Sequence, residues 1–313
     1  TTYYDSPSLF RGLENVKAKG YATDEFSDDA VRFIEGSGDE PFFIYLAYSA
    51  VHIPLEDAAP EKYQRFDTGN PEVDNYYATL AAVDDGLGRI LSELERTGEL
   101  DNTLIFYLSD NGAVVDSPQP MNGPFRGNKG NFHHGGMHVP MVAHWPATLQ
   151  PVKHDPRVAS IDVLPTALAA AGIELPDNLD GTDLFPSIGK NVDSHEAIFW
   201  AGPEIMHWSE DNKELWRDYW EYVTERTDDA PSSPLKAGDA SWAVQKGPWL
   251  LRHNEVTGLS ELFDVSADPG ERSEVSAAHP EVVESMRADY KAWAAGLAKP
   301  LVWSAEQYER LVK

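Results

Sequence analysis

Thr103-Leu104-Ile105-Phe106-Tyr107-Leu108-Ser109-Asp110-Asn111-Gly112 is the stretch that decides the fold. Residues 103–108 carry no charge and are mostly aliphatic or aromatic, so the run has strand length and is apolar on both faces. Such a strand belongs in a sheet covered on both sides, the usual setting of parallel strands. It stops at Ser109-Asp110-Asn111-Gly112, a polar cluster of turn type. Upstream, residues 73–96 read as an amphipathic helix. Tyr77, Leu80, Val83, Leu87, Ile90, Leu91 and Leu94 mark its apolar stripe, and Gly98 ends it. Further upstream, Phe42-Phe43-Ile44-Tyr45-Leu46-Ala47-Tyr48 follows Pro41 and forms a second buried run, which opens into Ser49-Ala50-Val51-His52-Ile53-Pro54. A helix is expected over residues 24–34, capped by Thr23 or Asp24, with Phe26, Ala30, Phe33 and Ile34 on one face. Downstream lie a loop rich in Gly, Pro and Asn (113–138), a third strand (140–145) and a helix (163–171) closed by Gly172.

Strands alternating with helices predict an α/β domain, a mostly parallel sheet flanked by helices, over residues 1–190. In such sheets chemistry collects in loops at the carboxyl ends of strands, where His52 and Asp110-Asn111 stand. Beyond about residue 190 the texture changes. Short strands are expected at 197–200, 242–245, 249–252 and 261–264, with a closing helix at 280–297. Residues 191–313 are therefore expected to form a C-terminal subdomain, a small antiparallel sheet packed with a helix. An aromatic and acidic insertion at about 203–240 interrupts it and holds a helix near 214–224.

Nine Trp, 13 Tyr and 12 Phe within 313 residues provide for a sizeable core. The net charge of −27 repels a polyanion, so nucleic acid is a poor partner. An anionic substrate would need a local cationic pocket against that field. No apolar run of membrane-spanning length occurs, and the first residues show no basic and apolar leader pattern. With no cysteine, disulfides, thiolate zinc sites and cysteine nucleophiles cannot come from these residues.

Three constellations carry chemistry. Asp110 and Asn111 offer a charged and a neutral oxygen, hard ligands suited to Ca²⁺ or Mg²⁺. Asp-Asn-Gly is equally common turn chemistry. Phe125-Arg126-Gly127-Asn128-Lys129-Gly130 is a Gly-rich loop, where Lys129 brings a compact positive charge for a tetrahedral oxyanion. It runs into His133-His134-Gly135-Gly136-Met137-His138-Val139-Pro140. A tract this rich in histidine suggests zinc, yet no Cys or carboxylate stands at ligand spacing. His52, in a loop at a strand end, has the chemistry to protonate a leaving oxygen or bind an anion, though a structural histidine has the same signature.

In order and together these elements resemble the sulfatase family of the alkaline-phosphatase-like superfamily. The matching features are the Pro-terminated His52 loop, Asp-Asn-Gly after a strand, an Arg-Gly-x-Lys-Gly-like loop, and Gly-Gly-x-x-x-Pro leading to a strand that ends in Trp145-Pro146. Ser160-Ile161-Asp162-Val163-Leu164-Pro165-Thr166, Asp180-Gly181-Thr182-Asp183-Leu184, Leu262-Phe263-Asp264 and Asp268-Pro269-Gly270-Glu271 extend the match over roughly residues 20–293. The resemblance implies hydrolysis of sulfate esters, of an aryl sulfate or a sulfated glycan, in a periplasmic or extracellular location. Asp110 and Asn111 would be two of the ligands of a divalent metal, Ca²⁺ or alternatively Mg²⁺. Lys129 would grip the sulfate oxygens. His52 would contact the sulfate and help the alkoxide leave, and Asp162 would cap a helix. Two positions depart from the pattern. His134 stands where an acidic residue is usual and His138 where Arg is frequent, and neither receives a role. The family's N-terminal third, which carries the formylglycine nucleophile, a pair of metal-binding aspartates and a Lys-x-His motif, has no counterpart here. Ser6-Pro7-Ser8-Leu9-Phe10-Arg11 echoes the formylglycine signature, but its proline sits at the wrong offset. The expectation is that this third lies in a missing N-terminal part of the same protein or in a companion chain, and that the chain alone is inactive. The rival readings are a phosphatase, phosphodiesterase or phosphonate monoester hydrolase of the same superfamily, and a non-catalytic anion- or glycan-binding fragment in which Trp208, Trp216 and Trp220 stack on sugars.

Overall fold

The computed structural model describes residues 9–16, 20–52, 55, 59–113, 121–203, 240–254 and 258–297. Ser6 to Ser8, most of the 203–240 insertion and its three tryptophans lie outside the described residues. The chain divides into two compact units, one of residues 1–107 and 142–151, the other of residues 108–141 and 152–313.

In the first unit, β1 (Leu9–Arg11) and β2 (Glu14–Val16) form a short antiparallel hairpin, with Leu9 opposite Val16. Helix α1 (Ala22–Ser37) starts two residues earlier than the sequence suggests. Its N-cap position is Tyr21, and no side chain caps it. The expected caps serve elsewhere: Thr23 is buried, and the Asp24 carboxylate accepts from the Tyr63 hydroxyl at 2.8 Å. Helix α2 (Pro71–Thr97) is punctuated as its sequence dictates. The Asn70 side chain accepts from Glu72 N at 3.0 Å, and Pro71 opens the first turn. Gly98, at φ 82°, ends the helix in the left-handed conformation that costs glycine little.

The two helices meet through small residues. Thr23, Ser27, Ala30 and Ile34 of α1 are buried, as are Ala78, Ala81, Ala82, Val83 and Gly86 of α2. A Cβ on Gly86 would lie 2.2 Å from Ser27 Oγ, so the backbones approach closely only because that position is glycine. Of the large residues of the expected stripes, Ile34, Val83 and Leu94 are buried, whereas Phe33 and Leu80 stand further out, 53% and 37% exposed.

Residues 42–48, expected as a buried strand, have no ladder partner among the described residues. Their exposure alternates, as along an extended chain, and Phe43 and Tyr45 are 78% and 84% exposed. The other side of the segment is tied to α1: Phe42 meets Phe33 edge to face, and the Tyr48 hydroxyl bonds Ser27 Oγ at 2.8 Å. Sequence registers apolarity on both faces, whereas coverage depends on what packs there. β3 (Ile105–Leu108) does find a partner, β4 (Met141–His144).

In the second unit, α3 (His134–Met137) is a single helical turn, followed by a 3₁₀ turn (Ser160–Asp162) and α4 (Val163–Ala170). Then come β5 (Ala197–Pro203), β6 (Ala240–Lys246), β7 (Trp249–Asn254), β8 (Ser260–Asp264) and α5 (Pro280–Gly296). The strands form one antiparallel sheet in the order β5-β6-β7-β8, as expected for the C-terminal part. Trp242, Val244, Leu251 and Leu262 on the sheet and Val283 and Met286 on α5 make its core, and Trp242 stacks on Tyr290 at 4.2 Å. Each large side chain removed from water here contributes roughly 1.5–3 kcal/mol.

Asp162 caps the start of the 3₁₀ turn, as its Ala159 N contact shows, and its side chain makes no cap to α4. Its buried carboxylate accepts from Ala159 N and Thr182 N, both at 2.8 Å, and bonds His195 Nε2 at 2.7 Å. One carboxylate thus ties three segments of the second unit together.

Candidate active site

β3 delivers the chain to Ser109, whose hydroxyl closes the Asp110-Asn111 turn by donating to Asn111 O at 2.8 Å. The turn leaves Asp110 exposed and Asn111 half-buried. The next residues bind this turn to the Lys129 loop. Gly112 N donates to Gly136 O at 3.0 Å, Lys129 N donates to Ala113 O at 3.2 Å, and the Asn122 amide bridges Ala113 N and Gly127 O. Contact is backbone on backbone: a Cβ on Gly112 would fall 1.7 Å from Gly135 O, and one on Gly135 would fall 2.2 Å from Gly127 O. These glycines allow the two loops to touch. Two of the three sequence-derived constellations, Asp110-Asn111 and the Lys129 loop, are therefore neighbours within one unit.

Among the described residues neither Asp110 nor Lys129 forms an ion pair, and Asp110 is exposed. His52 belongs to the first unit, where it follows residues 42–48 and is exposed, its backbone N–H donating to Ser49 O at 2.9 Å.

As for a metal, Asp110 and Asn111 offer the hard oxygens that Ca²⁺ or Mg²⁺ prefers. They are two donors where Ca²⁺ takes six to eight, and among the described residues no group of three or more His, Asp or Glu could hold an ion. The pair fits part of such a site.

The histidine tract serves a purpose that spacing could not disclose. His133, His134 and Glu271 are buried together. His133 Nδ1 bonds Glu271 Oε2, and Arg252 Nη1 lies 2.7 Å from His133 Nε2. Arginine has no acceptor, so Nε2 accepts and the ring proton sits on Nδ1, donated to the carboxylate. Both nitrogens of His133 are thereby occupied, with a guanidinium where a cation would otherwise bind. His134 places Nε2 3.2 Å from Gln245 Oε1, and burial pushes its imidazole below the usual value against the opposing pull of Glu271. His138 stacks on Phe125 at 4.4 Å. Phe125 also lines an open cavity of about 640 Å³, together with Arg126, Gly270 and Arg272. Glu271 and Arg252 escaped notice as partners of His133 because they stand more than a hundred residues away, and only Glu271's place in an Asp-Pro-Gly-Glu turn gave any signal.

Comparison with known proteins bears on this arrangement. The chain is 39% identical over 300 residues to the uncharacterized sulfatase YdeN of Escherichia coli K12, covering 92% of this chain and 53% of that protein. It is 30% identical over 267 residues to N-acetylgalactosamine-6-sulfatase of Mus musculus, covering 81% of this chain and 48% of that enzyme. The crystal structure of Ps i-CgsB in complex with k-i-k-neocarrahexaose superposes with a TM-score of 0.77 at 27% identity, covering 98% of this chain and 61% of the other. The chain spans about half the length of the curated relatives it matches. The family model for sulfatases matches residues 1–173, and the neighbours share the alkaline-phosphatase-like fold: the chain belongs to the sulfatase family.

Proposed function

We propose that this chain supplies part of the active site of a sulfuric-ester hydrolase, acting on a sulfated carbohydrate or an aryl sulfate. The observation that carries the reading is the pairing of two loops in one unit: Gly112 N on Gly136 O and Lys129 N on Ala113 O hold a carboxylate-amide turn against a lysine loop. A bound divalent cation, Ca²⁺ in this reading, supplies positive charge to draw in the ester and stabilise charge developing on its oxygens. Asp110 and Asn111 would hold it, and the remaining ligands would come from outside this set. Lys129 provides a second, compact positive charge for the sulfate oxygens. His52 supplies a proton to the departing alkoxide. The nucleophile, a formylglycine in this reading, is contributed from outside residues 20–293, by a further part of the same protein or by a companion chain. The same partner would cover Phe43 and Tyr45. The α/β part (1–190) and the C-terminal subdomain (191–313) would then act as one hydrolase, exported to the periplasm or beyond the cell. A glycan is favoured over a simple aryl ester by likeness to a protein solved with a neocarrahexaose.

Sulfate release from 4-nitrophenyl sulfate and from a carrageenan hexasaccharide tests the reading. The 313-residue chain alone should release none, while the protein joined to its formylglycine segment should be active and lose activity when calcium is chelated. Turnover that is indifferent to chelation and to Asp110→Asn would contradict it.

A further inference from the structure

We infer that Glu271 is a positioning residue of this site, a single residue that grips both ends of the loop carrying Lys129; the inference rests on the reading of Lys129 given above. Glu271 is fully buried and holds a positive φ of 49°, a conformation unfavourable for any residue but glycine. Every polar atom it owns is engaged. Its N–H donates to Asp268 O at 3.0 Å, and its carbonyl accepts from Arg126 Nη1 at 3.2 Å. Oε1 accepts from His134 N at 2.7 Å, and Oε2 accepts from His133 Nδ1. Arg126 and His133-His134 are the two ends of the loop, and Gly135 N donating to Arg126 O at 2.7 Å closes the ring between them. Lys129 lies on the arc so enclosed, and Gly136 just past His134 holds Gly112, next to Asp110-Asn111. A shift of Glu271 is thus passed to the lysine and to the carboxylate-amide turn. A buried carboxylate is a poor source of stability by itself, since well-packed apolar side chains commonly do as well. What it adds here is direction: two acceptors aimed at two fixed N–H groups.

The tautomer of His133 makes the idea testable. With Nε2 accepting from Arg252, Nδ1 carries the proton, so both groups facing the Glu271 carboxylate are donors. In Glu271→Gln the amide NH₂ must oppose one of them. In the double variant Glu271→Gln/Arg252→Gln, His133 is free to move its proton to Nε2 and accept from that NH₂, which restores complementarity. Amide hydrogen exchange of the 313-residue chain by NMR reads this out, alongside titration with inorganic sulfate. For Glu271→Gln we expect exchange at Lys129, Gly135 and Gly136 at least tenfold faster with Val244 and Leu251 unchanged, sulfate affinity about tenfold weaker, and substantial recovery in the double variant. Arg126→Met cuts only the carbonyl anchor at an exposed side chain, and it should show a smaller acceleration confined to the same amides; this variant decides the matter if Glu271→Gln does not fold. Loop exchange within twofold of the parent, or equal acceleration of loop and core, overturns the proposal. Sulfate binding indifferent to Lys129→Ala overturns the reading of Lys129, while the exchange data still decide the role of Glu271.

Discussion

On the helix pair of the first unit, Arg89 stands at the surface among Asp24, Asp28 and Asp85, its side chain 34% exposed. In the second unit Glu271 is enclosed by His133, Arg126 and the backbone of His134, with no exposure at all. Both regions are tied by charge across long sequence separations. Water can replace what Arg89 gives its partners, but it does not reach the enclosed donors of His133 and His134 that Glu271 accepts from. The helix pair therefore depends on its close-packed small residues, and the lysine loop depends on one carboxylate.

Removing that carboxylate should have the largest effect. Glu271→Ala leaves the enclosed His133 imidazole N–H and the His134 backbone N–H without their acceptor, while Arg252 keeps Glu261 at 2.9 Å, and we expect a loss of about 3–5 kcal/mol in urea unfolding. A loss under 1 kcal/mol would mean that water reaches the cluster. Asp162 falls between the two regions, enclosed but facing backbone N–H groups and one histidine. Burial pushes its carboxyl up, but hydrogen bonds from His195, Thr182 N and Ala159 N outweigh this and hold it below the usual carboxylate range. A lowered folded value means stability that is complete above the unfolded value of about 4 and lost as pH falls through the folded one. Asp162→Asn should cost about 1.5–3 kcal/mol at pH 7 and flatten the acid limb of stability against pH. An unchanged acid limb would remove Asp162 from that role. Arg89→Ala should matter least, under about 1 kcal/mol, and still less at 1 M salt. A cost equal to that of Glu271→Ala would erase the contrast between the regions.

Much of this molecule was legible in its sequence, and where reading stopped the reasons are physical. Period and punctuation disclosed α2, because Asn70-Pro71 and Gly98 are local signals. They also disclosed β5 to β8 and α5, where apolar runs alternate with turns. The apolar stripe of α2 marks Val83 and Leu94, which are buried, but apolar size alone does not mark Ala78, Ala82 and Gly86, where close approach to α1 selects small residues. The segment 42–48 was read as buried from its composition, but burial needs a neighbour. Asp110, Asn111 and Lys129 are legible as candidates because residue type and loop position coincide in each. Glu271 went unassigned because its partner is 138 residues away and neither side chain looks unusual locally.

The central claim is that Lys129, held against the Asp110-Asn111 turn, meets the sulfate group as the ester is cleaved. The most direct test is kcat/KM for sulfate release by the protein joined to the formylglycine segment proposed above, parent against Lys129→Ala, with circular dichroism confirming an unchanged fold. The loss of one preorganised charge at the reacting group should lower kcat/KM by about 10²–10³; a value within twofold of the parent would contradict the account.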